Sequence, residues 1–277
     1  MSSKSEVILG MPHLTYGGLS ENWLLKTCGD LHWQAICQSM GKASHEIADT
    51  QGNRLYPSFV ELLHQGARLS DFGENDQIEI NADVRSLSAR RIWSRQTISG
   101  SGGTIAMEML TLFMKRGKSD NSNKGLEASD PDFRLDLDPF DPDQDKSEIV
   151  NQRSRSYDGE DYEDLAGLDG AFKGLNTFEY APCPTVDFNG ARLLYFANYQ
   201  DILDRAEWMQ FRDLSLEDFS TSKRHIKYFG NVDSRDTVRV EFMSAESTGN
   251  RLVHEAALLR GSDGKVIAEV ETEKTRR

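Results

Sequence analysis

The sequence predicts an α+β fold in which two antiparallel sheets each wrap around one central helix. In the stretch Tyr180–Met209, five apolar residues follow one another at positions 193–197. A helix built on them would be buried on every side. An earlier stretch, Gly17–Gly41, has the same organisation. Each predicted helix follows a short strand and precedes four more strands, so the chain is predicted to be a double hot-dog.

The first predicted helix has clear start and stop signals. Ser20 is a good N-cap residue, and Glu21 and Asn22 suit the positive end of a helix dipole. Gly41 is of the type that ends helices in a left-handed conformation. Between these signals, apolar residues recur at helical spacing: Leu24, Cys28, Leu31 and Ala35. The second helix is predicted to follow Asp187 and Asn189, which are capping residue types.

The predicted strands form two sets of five, read from alternating apolar residues and from turn residues between them. The first set is Glu6–Gly10, Arg54–Leu63, Gln77–Val84, Arg90–Ser99 and Ile105–Lys115. The second set is Phe178–Ala181, Arg224–Asn231, Thr237–Phe242, Leu252–Arg260 and Lys265–Thr272.

We therefore predict an N-terminal hot-dog at residues 1–117 and a C-terminal hot-dog at residues 171–277. The segment 118–170 between them is rich in Asp, Ser, Asn and Pro and poor in apolar residues. Such a composition cannot bury enough surface to offset the entropy cost of ordering, which predicts a mobile linker. An acidic docking strip or lid is the alternative interpretation.

Composition narrows the classes of function. The net charge of -13 argues against nucleic-acid and anionic-membrane partners, because both need clustered Lys and Arg. No apolar run approaches the length of about 20 residues that spans a bilayer, and the N-terminal sequence has no signal-peptide core. Cys28, Cys37 and Cys183 have neither metal-ligand nor CxxC spacing. Reduced thiols and a cytoplasmic location are the simplest prediction.

No metal motif, nucleotide loop or nucleophile elbow occurs in the sequence, so the candidates are polar residues at helix starts and on strands. In the first half these are Asn22, His32 and Tyr56. His32 is either a base or a histidine that shares hydrogen bonds inside a helix. Asn22 is a catalytic donor or part of a cap. Tyr56 is a reactive phenol or a packed tyrosine with its hydroxyl bound.

The second half offers an equivalent set around the start of its helix. Asp187 and Asn189 are acid–base candidates or, more simply, helix caps, and Gly190 and Tyr195 complete the set. The amino end of a buried helix suits a thioester carbonyl, because its free N–H groups polarise the oxygen. His225 and Tyr228, on the following strand, are interpreted as structural.

Three segments resemble a known family: MPHLTYGGLSENWLLKTCGDLHW, GNRLYPSF and VDFNGARLLYFANYQDILDRAE. They are similar to the polyketide-biosynthesis family of double hot-dog proteins that includes the leinamycin-pathway bifunctional acyltransferase/decarboxylase. The resemblance spans both halves but not the acidic segment. It implies that methylmalonyl-CoA, or a related malonyl thioester, loses carbon dioxide. The remaining acyl group would then pass to the phosphopantetheine thiol of an acyl carrier protein, with no cofactor bound to the chain itself.

The same resemblance implies roles for individual residues. Tyr56, in the Tyr-Pro-Ser-Phe strand, matches the acylated nucleophile, and His32 is the only nearby-in-sequence candidate to activate it. Asn22, or the N–H groups near Asn189 and Gly190, would bind the enolate oxygen. The residues assigned to substrate binding are Trp33, Ser58, Asp187, Asn189, Gly190 and Tyr195.

Two other hypotheses remain open. One is a different hot-dog reaction, thioester hydrolysis or dehydration, although no His–carboxylate pair for a dehydratase stands out in the sequence. The other is a non-catalytic member that binds an acyl carrier protein. Carrier proteins are themselves acidic, so docking would need a basic patch. Arg85, Arg90, Arg91 and Arg95 are the predicted patch. The predicted partners are acyl-CoA and a carrier protein, with a homodimer left open.

Overall fold

The structure is a computed structural model that describes residues 2–117, 122–151 and 175–277. Strands of the first half are β1 (Ser2–Ile8), β2 (Leu14–Thr15), β3 (Gly18–Leu19), β4 (Tyr56–Gly66), β5 (Gln77–Ser86), β6 (Arg91–Gly100) and β7 (Gly103–Arg116). Then come β8 (Leu126–Ala128), β9 (Thr177–Tyr180), β10 (Phe219–Tyr228), β11 (Val238–Thr248), β12 (Arg251–Arg260) and β13 (Val266–Arg276). The α-helices are α1 (Glu21–Met40), α2 (Glu148–Asn151) and α3 (Asn198–Gln210).

One antiparallel sheet runs through both halves in the order β1-β5-β6-β7-β4-β10-β13-β12-β11-β9, and β8 pairs with β7. The order of the second half mirrors that of the first, with β9 in the place of β1 and β10 in the place of β4. The halves join where β4 pairs with β10, for example at Arg224 opposite His64. The predicted double hot-dog fold is thus confirmed, and its duplication is visible in the strand order.

Helix α1 agrees closely with its sequence signals. The side chain of Ser20 accepts a hydrogen bond from the N–H of Trp23, and Gly41 adopts a left-handed φ of 61° at the other end. The side chains of Leu24, Leu25 and Ile36 are fully buried. Gly29 lies where an added methyl group would stand 2.5 Å from the ring of Phe196, so this glycine permits close packing of the helix.

The second helix begins later than the sequence predicts. Residues 193–197 form an irregular segment in which Leu194 bridges to Phe188 and residues 196–197 make a turn, and α3 starts at Asn198. Side-chain contacts hold this segment: Asn231 accepts from the N–H of Leu194 and donates to its carbonyl, and Arg192 takes a left-handed φ of 62°. Most of the apolar side chains of the run are still buried, at Leu193, Leu194, Phe196 and Ala197. The apolar run therefore predicted burial correctly, but it did not mark the start of the helix.

Residues 122–151, which fall within the predicted linker, pack along the sheet. Leu137 and Ile149 are buried there, and Phe140 meets the ring of Trp93 edge-on at 5.1 Å. The carboxylate of Glu108 on β7 accepts hydrogen bonds from Ser147 and from the N–H of Glu148. This part of the segment is thus held by contacts that its composition does not indicate. The rest of the predicted linker, at 118–121 and 152–170, lies outside the described residues.

Candidate functional site

The amino ends of α1 and α3 lie side by side. The amide nitrogen of Asn22 donates to the carbonyl of Ala197 and to the side-chain oxygen of Asn198, both at 3.1 Å. Both amide hydrogens of Asn22 are therefore engaged in joining the two helices, and they do not serve as free donors to a substrate. The N–H groups of Glu21 and Asn22 precede the first internal hydrogen bond of α1, as in any helix.

A cavity of about 190 Å³ lies at this junction. We call it the inner cavity. Polar side chains dominate its lining, together with three apolar ones, Leu19, Leu69 and Phe219. The polar and glycine residues that line it are Thr15, Gly17, Ser20, Glu21, Asn22, Gln200, Asp201, Asp204, Ser220, Thr221 and Lys274. Helix starts from both halves therefore face one small polar space.

Asp201 is a titratable group of the inner cavity whose pKa lies close to neutral pH. It lies in the first turn of α3. Burial, and then the neighbouring carboxylate of Asp204, raises the pKa of Asp201 to about 6. A carboxylate with such a pKa is a stronger base than an ordinary surface aspartate and is still ionised at neutral pH.

A buried ion network lies behind the inner cavity and crosses from one half to the other. The guanidinium of Arg224 on β10 is fully buried. It contacts Glu21 at 2.7 Å, Asp204 at 2.8 Å and Glu207 at 3.3 Å. Glu21 begins α1, whereas Asp204 and Glu207 belong to α3. One arginine thus joins the start of α1 and the middle of α3 to the strand where the halves meet.

Histidines and a lysine complete this network. His64 contacts Glu21 and His254 contacts Glu207, each at 2.9 Å, and Lys274 pairs with Glu207. Burial alone would raise the pKa of Glu21, but Arg224 and His64 outweigh it and lower that pKa to about 2. Burial would lower the pKa of Lys274, but Glu207 and Asp204 raise it. Glu21, Glu207, Arg224 and Lys274 are therefore charged at neutral pH, whereas burial raises the pKa of Asp204 despite Arg224 and Lys274 beside it.

A second cavity of about 500 Å³ adjoins the first, and Asp204 and Lys274 line both. We call it the outer cavity. Its remaining lining is Tyr16, Glu207, Trp208, Leu216 and Glu217. Tyr16 is 88% exposed and Trp208 is 49% exposed, so its wall presents large aromatic surface to solvent. The arrangement is a larger, partly apolar cavity beside a smaller polar one, with Asp204 and Lys274 at their boundary.

His32 is fully buried and lies away from this site. Its Nδ1 is 2.7 Å from the hydroxyl of Ser94 and its Nε2 is 2.8 Å from that of Thr111. Burial lowers the pKa of His32 to about 3, so the ring is neutral. Since both nitrogens are engaged by hydroxyls, the predicted activation of Tyr56 by His32 is not what the structure shows. The structure agrees with the other interpretation of His32, a histidine that shares hydrogen bonds within the core.

This environment predicts that His32 destabilises the fold in acid. Below about pH 6.5 the unfolded chain takes up a proton that the folded ring does not accept until about pH 3. The contribution of this group to stability is fully present above about pH 7.5 and should fall by about 2 kcal/mol between pH 6.5 and 4.5. Urea unfolding of His32→Gln across that range should show a shallower pH dependence. His45→Gln, which changes an exposed histidine, should leave the slope unaltered, and equal slopes in all three proteins would contradict the prediction.

Tyr56 is half-buried and has two arginines as neighbours. Arg116 donates to its hydroxyl at 3.0 Å, and the guanidinium carbons of Arg54 and Arg116 lie 5.1 and 5.2 Å from the ring centroid. Side chains alternate along β4, and Phe59 contacts His32. Tyr56 therefore points to the opposite face of the sheet from His32. Arg116, which the sequence reasoning did not identify, is the group beside the phenol oxygen.

The predicted residues of the second half hold the loop before α3. Asp187 is buried and accepts from the N–H of Cys183 at 2.6 Å. Asn189 accepts from the N–H groups of Ala191 and Leu193, so it caps a turn and not a helix. Gly190 is exposed at the tip of that turn. Arg116 also donates to the carbonyl of Ala191, which connects this loop to Tyr56.

The other predicted binding residues lie apart from one another. Tyr195 is half-buried, and burial, with Asp30 beside it, raises its pKa. Trp33 packs on a separate small core beneath α1. Ser58 is half-buried on the same face of β4 as Tyr56. Of all the predicted site residues, the inner cavity contains only Asn22.

The predicted arginine patch contacts the segment 122–151. Arg85 pairs with Asp138 at 2.8 Å, and Arg90 with Asp130 at 3.7 Å. Arg95 donates to the carbonyl of Lys146. Acidic residues of the chain thus occupy much of the surface that we predicted for carrier docking. A role for this patch in docking stays a prediction.

Two further properties concern partners and ligands. Within residues 2–117, 122–151 and 175–277, no helix combines the length and apolar character needed to cross a membrane. The same ranges contain no group of three or more His, Cys, Asp or Glu side chains arranged to hold a metal ion.

Comparisons with known proteins support the fold. No protein-family model and no curated protein matches the chain. Among solved structures, one described as an oleoyl thioesterase from Lactobacillus plantarum gives a TM-score of 0.66 at 11% identity, covering 100% of this chain and 95% of its own. The 12:0-ACP thioesterase from Umbellularia californica gives 0.64 at 11% identity, with 100% and 94% covered. An acyl-ACP thioesterase from Bacteroides thetaiotaomicron gives 0.60 at 10% identity, with 99% and 97% covered.

The class that these observations define is therefore the double hot-dog fold, matched over nearly the whole length of each chain. At such low sequence identity the likeness concerns the fold alone. The resemblance of the three sequence segments to the polyketide-biosynthesis family stays a prediction.

Proposed function

We propose that the protein hydrolyses an acyl thioester in the inner cavity, with CoA or the phosphopantetheine of a carrier protein as the thiol. The observation that carries the proposal is Asp201, whose pKa is raised to about 6 where the amino ends of two helices meet. A base with its pKa just below neutral pH beside helix N–H groups is the combination that acyl transfer to water requires. The structural neighbours described as thioesterases are consistent with this reaction.

The proposed step uses two features of the cavity. The thioester oxygen lies against the N–H groups at the start of α1, which stabilise the negative charge of the tetrahedral intermediate. Asp201 removes a proton from water as the water oxygen bonds to the carbonyl carbon. When the carbon–sulfur bond breaks, the protonated Asp201 returns the proton to the leaving thiolate. The products are a carboxylic acid and a free thiol.

The proposal is tested by incubating the protein with a panel of acyl-CoA thioesters and measuring the release of free thiol. We expect thiol and free acid in equal amounts, with no acyl group left on the protein in intact-mass spectra. Absence of thiol release across short, long, apolar and polar acyl groups would contradict hydrolysis.

A second candidate is the decarboxylating acyl transfer that the sequence resemblance implies. The observation in its favour is the environment of Tyr56, whose oxygen accepts a hydrogen bond from Arg116 while Arg54 lies over the ring. Positive charge beside a phenol stabilises the negative charge that develops as it attacks a thioester. Two arginines would also attract the carboxylate of a malonyl group.

Intact-mass spectrometry separates the two reactions. Acyl transfer predicts a propionyl adduct on the protein after exposure to methylmalonyl-CoA, and no adduct on Tyr56→Phe. It also predicts acyl loading of a carrier protein. Hydrolysis predicts free acid and an unmodified protein in both cases. Loading by Tyr56→Phe at the wild-type rate would remove the nucleophile role.

A further inference from the structure

We infer that the inner cavity selects a short acyl group that carries a hydrogen-bond donor, a hydroxyl or an ammonium, and discriminates against long apolar chains and against carboxylates. The inference rests on the proposed function, since it names the substrate class of the same site. Three observations carry it: acceptors without partners, the balance of charge, and the size and lining of the cavity.

Two buried acceptors at the inner cavity have no partner. Gln200 is 2% exposed, and its Oε1 accepts no hydrogen bond from the described residues, although its nitrogen donates to Asp204. Glu21 is 5% exposed, and its Oε2 is likewise without a partner there. Both residues line the cavity. Both oxygens are closed to solvent in this structure, so a substrate donor reaches them only when the lining shifts. Because a buried acceptor left unpaired costs free energy, such a donor would be favoured at this place.

The charges around the cavity also favour a substrate with a hydrogen-bond donor. Three carboxylates line it, those of Glu21, Asp201 and Asp204. Among the described residues of the lining, Lys274 is the only cation, and it is paired with Glu207. Arg224 lies behind the cavity and is occupied by carboxylates on three sides. A malonyl carboxylate would meet like charge here, whereas an ammonium or a hydroxyl would meet acceptors.

Size and lining define the rest of the acyl group. The volume of about 190 Å³ suits a small group, and the larger aromatic-walled outer cavity is the place for the thiol portion. Leu19, Leu69 and Phe219 provide a limited apolar wall in the inner cavity. A short alkyl segment with one donor therefore matches the lining, and a long saturated chain would leave the polar residues unpaired.

The test compares acyl groups of matched length. We expect kcat/KM for 3-hydroxybutyryl-CoA or 3-aminobutyryl-CoA to exceed that for butyryl-CoA by roughly tenfold or more, with octanoyl- and malonyl-CoA poorer still. Equal or better turnover of butyryl-, octanoyl- or malonyl-CoA would overturn the inference. It would leave hydrolysis itself standing. The ratio between the hydroxy and the amino substrate decides which donor is preferred.

Binding provides a measurement that does not depend on turnover. Ketone analogues, with a methylene between the sulfur and the carbonyl, cannot be hydrolysed, and their affinities can be measured by calorimetry. The hydroxylated analogue should bind roughly tenfold tighter than the plain one. In Gln200→Leu this ratio should fall towards one, whereas in Gln38→Leu, an exposed position on α1, it should persist. Equal affinities in the wild-type protein would overturn the inference. Preserved selectivity without any hydrolysis would overturn only the proposed reaction.

Discussion

Replacing Asp201 with asparagine should lower kcat/KM for thioester hydrolysis about 10²- to 10⁴-fold, the range typical of a lost general base. The amide occupies the same space beside Asp204 but cannot accept a proton from water. The rate should be measured with the best substrate of the thioester panel, and the matched control is Asp213→Asn. Asp213 is exposed and does not line the inner cavity.

The pH dependence gives this prediction a second readout. Because the base acts when it is ionised, wild-type kcat/KM should fall as the pH drops through about 6, the raised pKa of Asp201. The residual activity of Asp201→Asn should lack that limb. A variant that keeps both the wild-type rate and the acid limb would assign the base elsewhere.

Stability measurements show whether a loss of activity has a structural cause. The folded-state pKa of Asp201 is raised, so the folded chain holds its proton at a higher pH than the unfolded chain does. The contribution of Asp201 to stability therefore decreases as the pH rises from about 4 to about 6. Asp201→Asn removes this dependence and should be at least as stable as the wild type at pH 8. A loss of activity in a stable variant then shows that Asp201 acts in the reaction and not only in folding.

Local signals in the sequence were sufficient for most of the fold. Helix α1 begins after Ser20 and ends at Gly41 because both ends are set by neighbours in the chain. The alternating strands were likewise found, but their ends were less accurate: the strand predicted to end at Phe242 continues to Thr248. The start of α3 was not predicted correctly. The segment before it is held by Asn231, which lies 37 residues further along the chain from Leu194. An apolar run reports burial equally in a helix and in a turn.

The site was less predictable, because its chemistry comes from contacts between distant residues. The carboxylates of Asp201, Asp204 and Glu207 recur at helical spacing, a pattern that normally marks a solvated face. They become unusual only beside Arg224, and nothing in the sequence distinguishes that buried arginine from the half-buried Lys223 and Lys227 on the same strand. His32 looked like a catalytic residue in the sequence but has a structural role in the fold. Its hydrogen-bond partners Ser94 and Thr111 are 62 and 79 residues away, so the sequence near His32 does not show them. Asn22, which lines the inner cavity, was identified because the start of a helix can be recognised from neighbouring residues in the sequence.

Replacing Arg224 with methionine should lower the free energy of unfolding at pH 7 by about 3–5 kcal/mol, which is the cost of removing one partner from a buried ion pair. Methionine fills similar volume, so the loss is mainly electrostatic. Glu21 would keep only His64 as a partner, and Glu207 would keep His254 and Lys274. Since stabilities of 5–15 kcal/mol are typical, such a loss is a large part of the total.

The control and the second variant make this prediction specific to the network. Lys227→Met removes a half-exposed cation from the same strand and should change the unfolding free energy by less than about 1 kcal/mol. Adding Glu21→Gln to Arg224→Met should cost less than the sum of the two single changes, because the carboxylate that lost its partner is no longer charged. Urea unfolding measures the wild type and the four variants, including Glu21→Gln alone. Strict additivity, or an Arg224→Met effect as small as that of Lys227→Met, would mean that the network does not hold α1 and α3 together.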